Sequence, residues 1–212
     1  MKLKVCGLTN KKNIGEILRD IHPDYMGFIF YEHSSRFVEN KLDAGFMKTL
    51  PESIQKTGVF VDAPGKYILD RAKQYSLNTL QMHGNESPDF CRGFMDEGYE
   101  VIKVFKIYKS FAISTMHEYR DSCDYFLFDT AGKLKGGTGV KFNWTIIQQY
   151  TLNKPFFLSG GVAPGDEANI KSIKDHRLYA VDINSRFEIS KGIKNADQVT
   201  QFYNTLKNNE NG

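Results

Sequence analysis

Residues 2–10, Lys2-Leu3-Lys4-Val5-Cys6-Gly7-Leu8-Thr9-Asn10, predict a short buried strand that leads through a turn into a helix. The strand ends on a thiol, and the glycine and Thr-Asn pair after it are typical of a turn followed by a helix N-terminus. In parallel α/β proteins the active site lies at the carboxyl ends of the strands, so Cys6 is a candidate functional residue. The alternative is a small core side chain, because cysteine is among the most buried residue types.

Short apolar runs recur at fairly regular intervals along the 212 residues. Each run is nearly continuous, as expected for parallel strands that are buried on both faces. Amphipathic stretches such as 64–75 and 195–206 have apolar residues at helical spacing. The runs are Leu3–Val5, Met26–Phe30, Gly58–Val61, Thr79–Met82, Val101–Phe105, Tyr125–Phe128, Pro155–Leu158 and Tyr179–Ile183.

Eight strands that alternate with helical segments predict the α/β class and a single-domain (β/α)8 TIM barrel. We expect the barrel to span residues 1–207, with 208–212 as a polar C-terminal tail. An open doubly wound sheet is the main alternative. It normally has fewer strands and often a glycine-rich fingerprint after the first, which Cys6-Gly7-Leu8-Thr9 is not.

Composition limits the classes of partner. The 28 basic and 25 acidic residues are interspersed, so no basic face for nucleic acid or a membrane is indicated. The three cysteines form no Cys-x-x-Cys pair, which predicts a reducing compartment. The first strand begins at once and no apolar run has membrane-spanning length, so we expect a soluble, cytoplasmic protein, with a monomer as the default. The histidines lack metal-ligand spacing and no nucleotide signature is present, so we expect no metal and no cofactor.

Polar residues after the other predicted strands complete the candidate site. The glycine segments 136–139 and 159–161 are typical of loops whose N–H groups approach a phosphate, or they form plain tight turns. A helix beginning near Pro164 would add a favourable dipole. Arg36 suits a carboxylate, or is an ordinary surface arginine. Asp129 ends an apolar strand, where a raised pKa would equip it as a general acid; otherwise it caps the following loop.

Five further polar residues stand at predicted strand ends. His83 is interpreted as a loop anchor or a substrate contact rather than a catalytic group. Asp62 and Asp182 are first interpreted as carboxylates that organise loops. Asn184 and Ser185 would supply further donors to a phosphate from the eighth loop.

These segments resemble the phosphoribosylanthranilate isomerase family over nearly the whole chain and in the same order. The matching motifs are Lys4-Val5-Cys6-Gly7-Leu8-Thr9, Gly27-Phe28-Ile29-Phe30-Tyr31 with Ser34-Ser35-Arg36, Gly58-Val59-Phe60-Val61-Asp62, Leu80-Gln81-Met82-His83-Gly84-Asn85-Glu86, Phe128-Asp129-Thr130, Gly136-Gly137-Thr138-Gly139 with Phe142-Asn143-Trp144, Leu158-Ser159-Gly160-Gly161-Val162, and Asp182-Ile183-Asn184-Ser185 with Glu188 and Gly192-Ile193-Lys194.

The resemblance implies an Amadori rearrangement of a small phosphosugar in tryptophan biosynthesis, without a cofactor. N-(5-phosphoribosyl)anthranilate would become 1-(2-carboxyphenylamino)-1-deoxyribulose 5-phosphate. By resemblance Cys6 is the general base, Asp129 the general acid, and Arg36 the contact to the anthranilate carboxylate. A thiolate base requires a lowered pKa for Cys6. The other substrate-binding residues implied are His83, Gly137, Thr138, Gly139, Gly160, Gly161, Asp182, Asn184 and Ser185.

Some positions depart from the family pattern. Asn143 stands where an aspartate is common, Asn184 where a second serine is common, and Arg186 where a small residue is usual. Arg186 either adds a phosphate contact or points to solvent. A bifunctional barrel that also acts on the histidine-pathway aminoaldose would often have an aspartate in place of Cys6. A non-catalytic phosphosugar-binding barrel is disfavoured because Cys6 and Asp129 are both retained.

Overall fold

Eight parallel strands form a closed barrel in sequential order, β1 to β8. The structure, a computed structural model, describes residues 1–107, 110–129 and 144–208. It confirms every predicted strand and extends or shifts several of them at an end. The strands are β1 Lys2–Cys6, β2 Tyr25–Ile29, β3 Gln55–Phe60, β4 Thr79–Met82, β5 Glu100–Lys106, β6 Tyr125–Asp129, β7 Phe156–Ser159 and β8 Leu178–Ile183.

Helices follow most of the strands and cover the outside of the barrel. The predicted helices 64–75 and 195–206 are confirmed, and Asn195 caps the second by accepting from the N–H of Gln198. The α-helices are α1 Lys11–Asp20, α2 Ala44–Lys48, α3 Gly65–Tyr75, α4 Pro88–Asp96, α5 Ile113–Glu118, α6 Glu167–Lys171 and α7 Ala196–Lys207. The segments Trp144–Gln149 and Ser185–Phe187 are 3₁₀ turns, and Glu188–Ser190 (β9) pairs with Ile193–Lys194 (β10) in a short hairpin.

The helix expected near Pro164 begins later, at Glu167, and has only five residues. The N–H of Ala163 donates to Oδ2 of Asp166 at 3.0 Å, and Gly165 has a φ of +90°. These residues therefore form a turn, and only glycine takes such a φ without strain. No helix N-terminus directly follows the 159–161 segment, so the predicted dipole contribution is wrong.

Alternate strand residues face the barrel interior, and the others face the helices. The interior is itself packed, with Tyr25, Leu127 and Phe157 buried in one apolar cluster. A larger cluster fills the layer between sheet and helices and includes Phe28, Phe60 and Phe126 among its members. In the described ranges, no helix is long and apolar enough to cross a membrane. Above the interior layer, at the carboxyl ends of the strands, the packing leaves an opening.

Candidate active site

A cavity of about 220 Å³ lies at the carboxyl ends of the barrel strands. Cys6 at the end of β1 and Asp129 at the end of β6 both line it, and these two strands lie nearly opposite each other in the ring. The predicted site residues that share this lining are His83, Gly160, Gly161, Asp182, Asn184 and Ser185. Gly137, Thr138 and Gly139 lie outside the described residues, so their role stays a prediction.

The backbone around Cys6 leaves room for its side chain. A Cβ on Gly27 of the neighbouring strand would lie 2.7 Å from the Cys6 sulfur, so a larger residue there would displace the thiol. Gly7 turns the chain with a φ of +75° and donates its N–H to the carbonyl of Gly27 at 2.9 Å. The two glycines thus end β1 with the thiol aimed into the cavity.

The pKa of Cys6 is raised, not lowered as the sequence predicts. Burial of the thiol is the main cause, and the Asp182 carboxylate acts in the same direction. Lys4 and Lys194 oppose the shift because positive charge favours the thiolate. Burial therefore outweighs the effect of the two lysines on the pKa of the thiol.

A buried ion pair lies beneath Cys6. Lys4 Nζ donates to Asp182 Oδ1 at 2.9 Å, and the Lys4 side chain is fully inaccessible to solvent. Ser159 Oγ donates to Asp182 Oδ2 at 3.1 Å. The carboxylate of Asp182 therefore holds the side chains of Lys4 and Ser159 inside the barrel. It does not organise a loop, so the first interpretation of this residue is wrong.

Asp129 lies beside His83 in the lining of the cavity. The distance from His83 Nε2 to Asp129 Oδ2 is 3.7 Å, and both side chains are about one quarter exposed. Gln81 Nε2 lies 3.1 Å from His83 Nδ1. Gln81 therefore orients the imidazole, and His83 sits beside the carboxylate rather than beside the thiol.

Arg36 is not among the residues that line the cavity; it lies beside Gly7, where Glu188 holds it in a bidentate pair. Arg36 Nε donates to Glu188 Oε1 at 2.8 Å, and Nη2 donates to Oε2 at 2.5 Å. Lys194 Nζ and the N–H of Gly192 also donate to Oε1, at 2.8 and 3.0 Å. The guanidinium is thereby fixed in one orientation, and among the described residues Nη1 has no hydrogen-bond partner, which leaves that edge for another group. A Cβ on Gly7 would lie 2.8 Å from Arg36 Cδ, so glycine is required beneath it.

This network joins the loop after β2 to the β9–β10 hairpin and should make folding sensitive to acid. Arg36 and Lys194 lower the pKa of Glu188 to about 2, against the opposing effect of burial. A depressed carboxyl pKa stabilises the folded state above the ordinary value near 4.5, and that contribution is lost as pH falls from about 4.5 toward 2.

We therefore expect Glu188→Gln to be less stable than the wild type at neutral pH, with the difference shrinking in acid. Urea unfolding of both proteins at stepped pH values measures the two free energies of unfolding. A difference that stays constant from about pH 5 to pH 2 would contradict the assignment.

A second buried ion pair lies in the loop after β4. Glu86 accepts from Lys103 Nζ at 2.8 Å and from the N–H groups of Gly84 and Asp62 at 3.0 Å. Asp62 in turn accepts from the N–H of Asn85 at 2.5 Å. The prediction that Asp62 organises a loop is confirmed.

The glycine segment after β7 has the backbone that an anion site needs. Gly160 and Gly161 have φ values of +82° and +74°, which only glycine adopts readily. A Cβ on Gly161 would meet no atom of the described residues within 4 Å. Ser185 and Arg186, at the start of the 3₁₀ turn after β8, line the same part of the cavity.

Comparison with known proteins decides the family. The family model described as N-(5'-phosphoribosyl)anthranilate (PRA) isomerase matches residues 3–205. The chain belongs to the phosphoribosylanthranilate isomerase family. The N-(5'-phosphoribosyl)anthranilate isomerase of Phocaeicola vulgatus is 39% identical over 207 residues, which cover 98% of each chain.

Solved structures of phosphoribosylanthranilate isomerases share the fold. A monomeric form of the dimeric enzyme from Thermotoga maritima aligns with a TM-score of 0.81 at 27% identity, covering 98% of this chain and 99% of the other. A phosphoribosylanthranilate isomerase in complex with reduced 1-(o-carboxyphenylamino)-1-deoxyribulose 5-phosphate aligns with a TM-score of 0.79 at 27% identity and the same coverage. The chain is thus an isomerase of tryptophan biosynthesis that catalyses the Amadori rearrangement of N-(5'-phosphoribosyl)anthranilate.

Sequence reasoning missed Lys4 and underrated Glu188 and Lys194. Lys4 could have been found, since it is two residues before Cys6 on a strand and so shares its face. Glu188 and Lys194 lie more than 150 residues after Arg36 in the chain, and no local pattern joins them.

Proposed function

We propose that Asp129 and Cys6 divide the proton transfers of the Amadori rearrangement. Asp129, as the acid, protonates the furanose ring oxygen, and the C1–O bond breaks to give a protonated Schiff base. Cys6, as the thiolate, then removes the proton from C2 of the sugar. The electron pair of the C–H bond forms an enolamine, which tautomerises to the ketone.

The observation that carries this proposal is the position of the two groups on nearly opposite strands of one cavity. The ring oxygen and the C2 hydrogen belong to the same small sugar, so an acid and a base that face each other across it can act in turn. The iminium formed by ring opening acidifies the C2–H bond, which supplies the activation that a metal would otherwise provide.

Substrate binding divides between the two sides of the cavity. Backbone N–H groups of Gly160, Gly161 and Ser185 would hold the phosphate, joined by the predicted segment 137–139. Asn184 Oδ1 accepts from Lys194 Nζ at 2.7 Å, so Nδ2 is the side-chain donor that Asn184 would offer to the phosphate. The open edge of Arg36 would take the anthranilate carboxylate, and Glu188 keeps that edge aimed.

Genetic complementation tests the proposed function. In a tryptophan auxotroph that lacks this isomerase, the wild-type gene should restore growth without tryptophan, whereas the Cys6→Ala gene should not. Immunoblots must show equal amounts of both proteins. Full growth with Cys6→Ala would reject the assignment of the base, and no growth with the wild type would reject the function in the cell.

We also propose that the enzyme is a cytoplasmic monomer. Ile189 is the one large apolar side chain that is clearly exposed in the described part of the chain, which leaves little surface for a stable apolar interface. The three cysteines are unpaired, in keeping with a reducing compartment. Sedimentation velocity at micromolar concentration measures the oligomeric state, and a dimer under these conditions would contradict the proposal.

A further inference from the structure

We propose that Lys4 is a positioning residue for the reaction: its buried ammonium favours the thiolate form of Cys6 against the effect of burial, while Asp182, which Ser159 holds, fixes that ammonium. The inference rests on the proposed role of Cys6 as the base. It assigns a function to a charged group in the barrel interior that neither substrate binding nor the acid step uses.

The geometry starts from the alternation of side chains along β1. Lys4 and Cys6 are two residues apart, so both face the barrel interior, one layer above the other. Lys4 and Asp182 are direct partners in the register of β1 and β8, and Lys4 Nζ lies 2.9 Å from Asp182 Oδ1. The ammonium therefore sits directly below the thiol, with no solvent to screen it.

Other charges also face Cys6. Lys194, on the β9–β10 hairpin, and Arg36, on the loop after β2, both donate to Glu188, which cancels one of their two positive charges. From β8, Asp182 opposes the thiolate, but Ser159 donates to its second oxygen and stabilises that negative charge in place. Lys4 is the cation that favours the Cys6 thiolate most strongly, through both charge and hydrogen bonding.

A purely structural role is a weak explanation for this lysine. A buried ion pair contributes little net stability, because removing both charges from water costs about as much as their attraction returns. An apolar pair would fill the same space inside the barrel. A buried thiolate base requires a positive charge next to it, because burial by itself favours the neutral thiol. The Lys4 ammonium supplies that charge.

Titration of the thiol tests the proposal independently of catalysis. Iodoacetamide reacts with thiolates, and tryptic digestion places Cys6 in the peptide 5–11 of the wild type and, because the cleavage site at residue 4 is lost, in the peptide 3–11 of Lys4→Met. Mass spectrometry can therefore follow alkylation at this residue alone. In Lys4→Met the pKa of Cys6, read from the alkylation rate across pH, should rise by about one unit or more. The matched control is Lys103→Met, which removes an equally buried ammonium paired with Glu86, away from Cys6. It should leave the pKa of Cys6 unchanged.

Kinetics supply the second readout. The alkaline rise of kcat/KM should move to higher pH in Lys4→Met by the same interval as the thiol pKa, and activity should recover at high pH. An unchanged thiol pKa in folded Lys4→Met, or activity lowered equally at every pH, would overturn the proposal.

A double variant keeps the test decisive if Lys4→Met does not fold. Lys4→Met with Asp182→Asn removes both charges and leaves no unpaired buried carboxylate. Its thiol pKa should still exceed that of the wild type, because Lys4 affects Cys6 more strongly than Asp182 does. An equal or lower value would overturn the proposal. Full activity of Cys6→Ala would instead reject the proposed base, while the thiol titration still decides whether Lys4 acts on Cys6.

Discussion

Cys6→Ala is expected to lower kcat by about 10²- to 10⁴-fold, the range that a positioned general base contributes. The thiol lines the cavity, and no other described side chain there combines a reactive sulfur with two nearby lysines. Alanine removes the sulfur and leaves the glycine turn at Gly7 intact. Steady-state assay of purified protein measures the loss.

Two controls separate loss of the base from general damage. Binding of reduced 1-(o-carboxyphenylamino)-1-deoxyribulose 5-phosphate should be nearly unchanged in Cys6→Ala, since the phosphate loops and Arg36 remain. Cys91→Ala removes a second buried thiol, in α4 and outside the cavity, and should keep wild-type kcat. Equal losses in both cysteine variants would show that the effect of Cys6→Ala is structural.

Asp129→Asn should lower kcat by a similar factor of about 10² to 10⁴. Asparagine keeps the shape of the side chain and its place beside His83, but an amide cannot deliver the proton that ring opening requires. Ring opening then becomes the slow step. The assay is the same steady-state measurement, at a substrate concentration that saturates the variant.

The matched control is Asp62→Asn, at the same end of the barrel. Asp62 is exposed and accepts from the N–H of Asn85, which the amide oxygen of asparagine can also do. Its kcat should stay within a few-fold of the wild type. Near-normal turnover of Asp129→Asn would show that another group opens the ring.

The fold could be predicted from the sequence because each strand is a short apolar run between amphipathic segments. Runs such as Tyr125–Phe128 are buried on both faces, and that burial leaves a local signature. The helix near Pro164 was placed too early because Asp166 and Gly165 stabilise a turn that apolar spacing does not reveal.

The placement of Cys6 and Asp129 in one cavity could be predicted because both residues end strands, where barrels carry their chemistry. The pKa of Cys6 could not be predicted from the sequence. It depends on burial, on Asp182 and on Lys194, and these contributions come from elements far apart in the chain. The orientation of Arg36 likewise depends on Glu188. This residue follows β8, and it reaches Arg36 only because β8 pairs with β1 and closes the barrel.

The central claim is that Cys6 removes the C2 proton after Asp129 has opened the ring. The kinetic isotope effect on kcat, with deuterium at C2 of the substrate, tests it most directly. The account predicts an isotope effect clearly above one in Cys6→Ala, where C–H cleavage limits the rate, and an effect near one in Asp129→Asn, where ring opening limits it. The reverse pattern, with an effect in Asp129→Asn and none in Cys6→Ala, would contradict it.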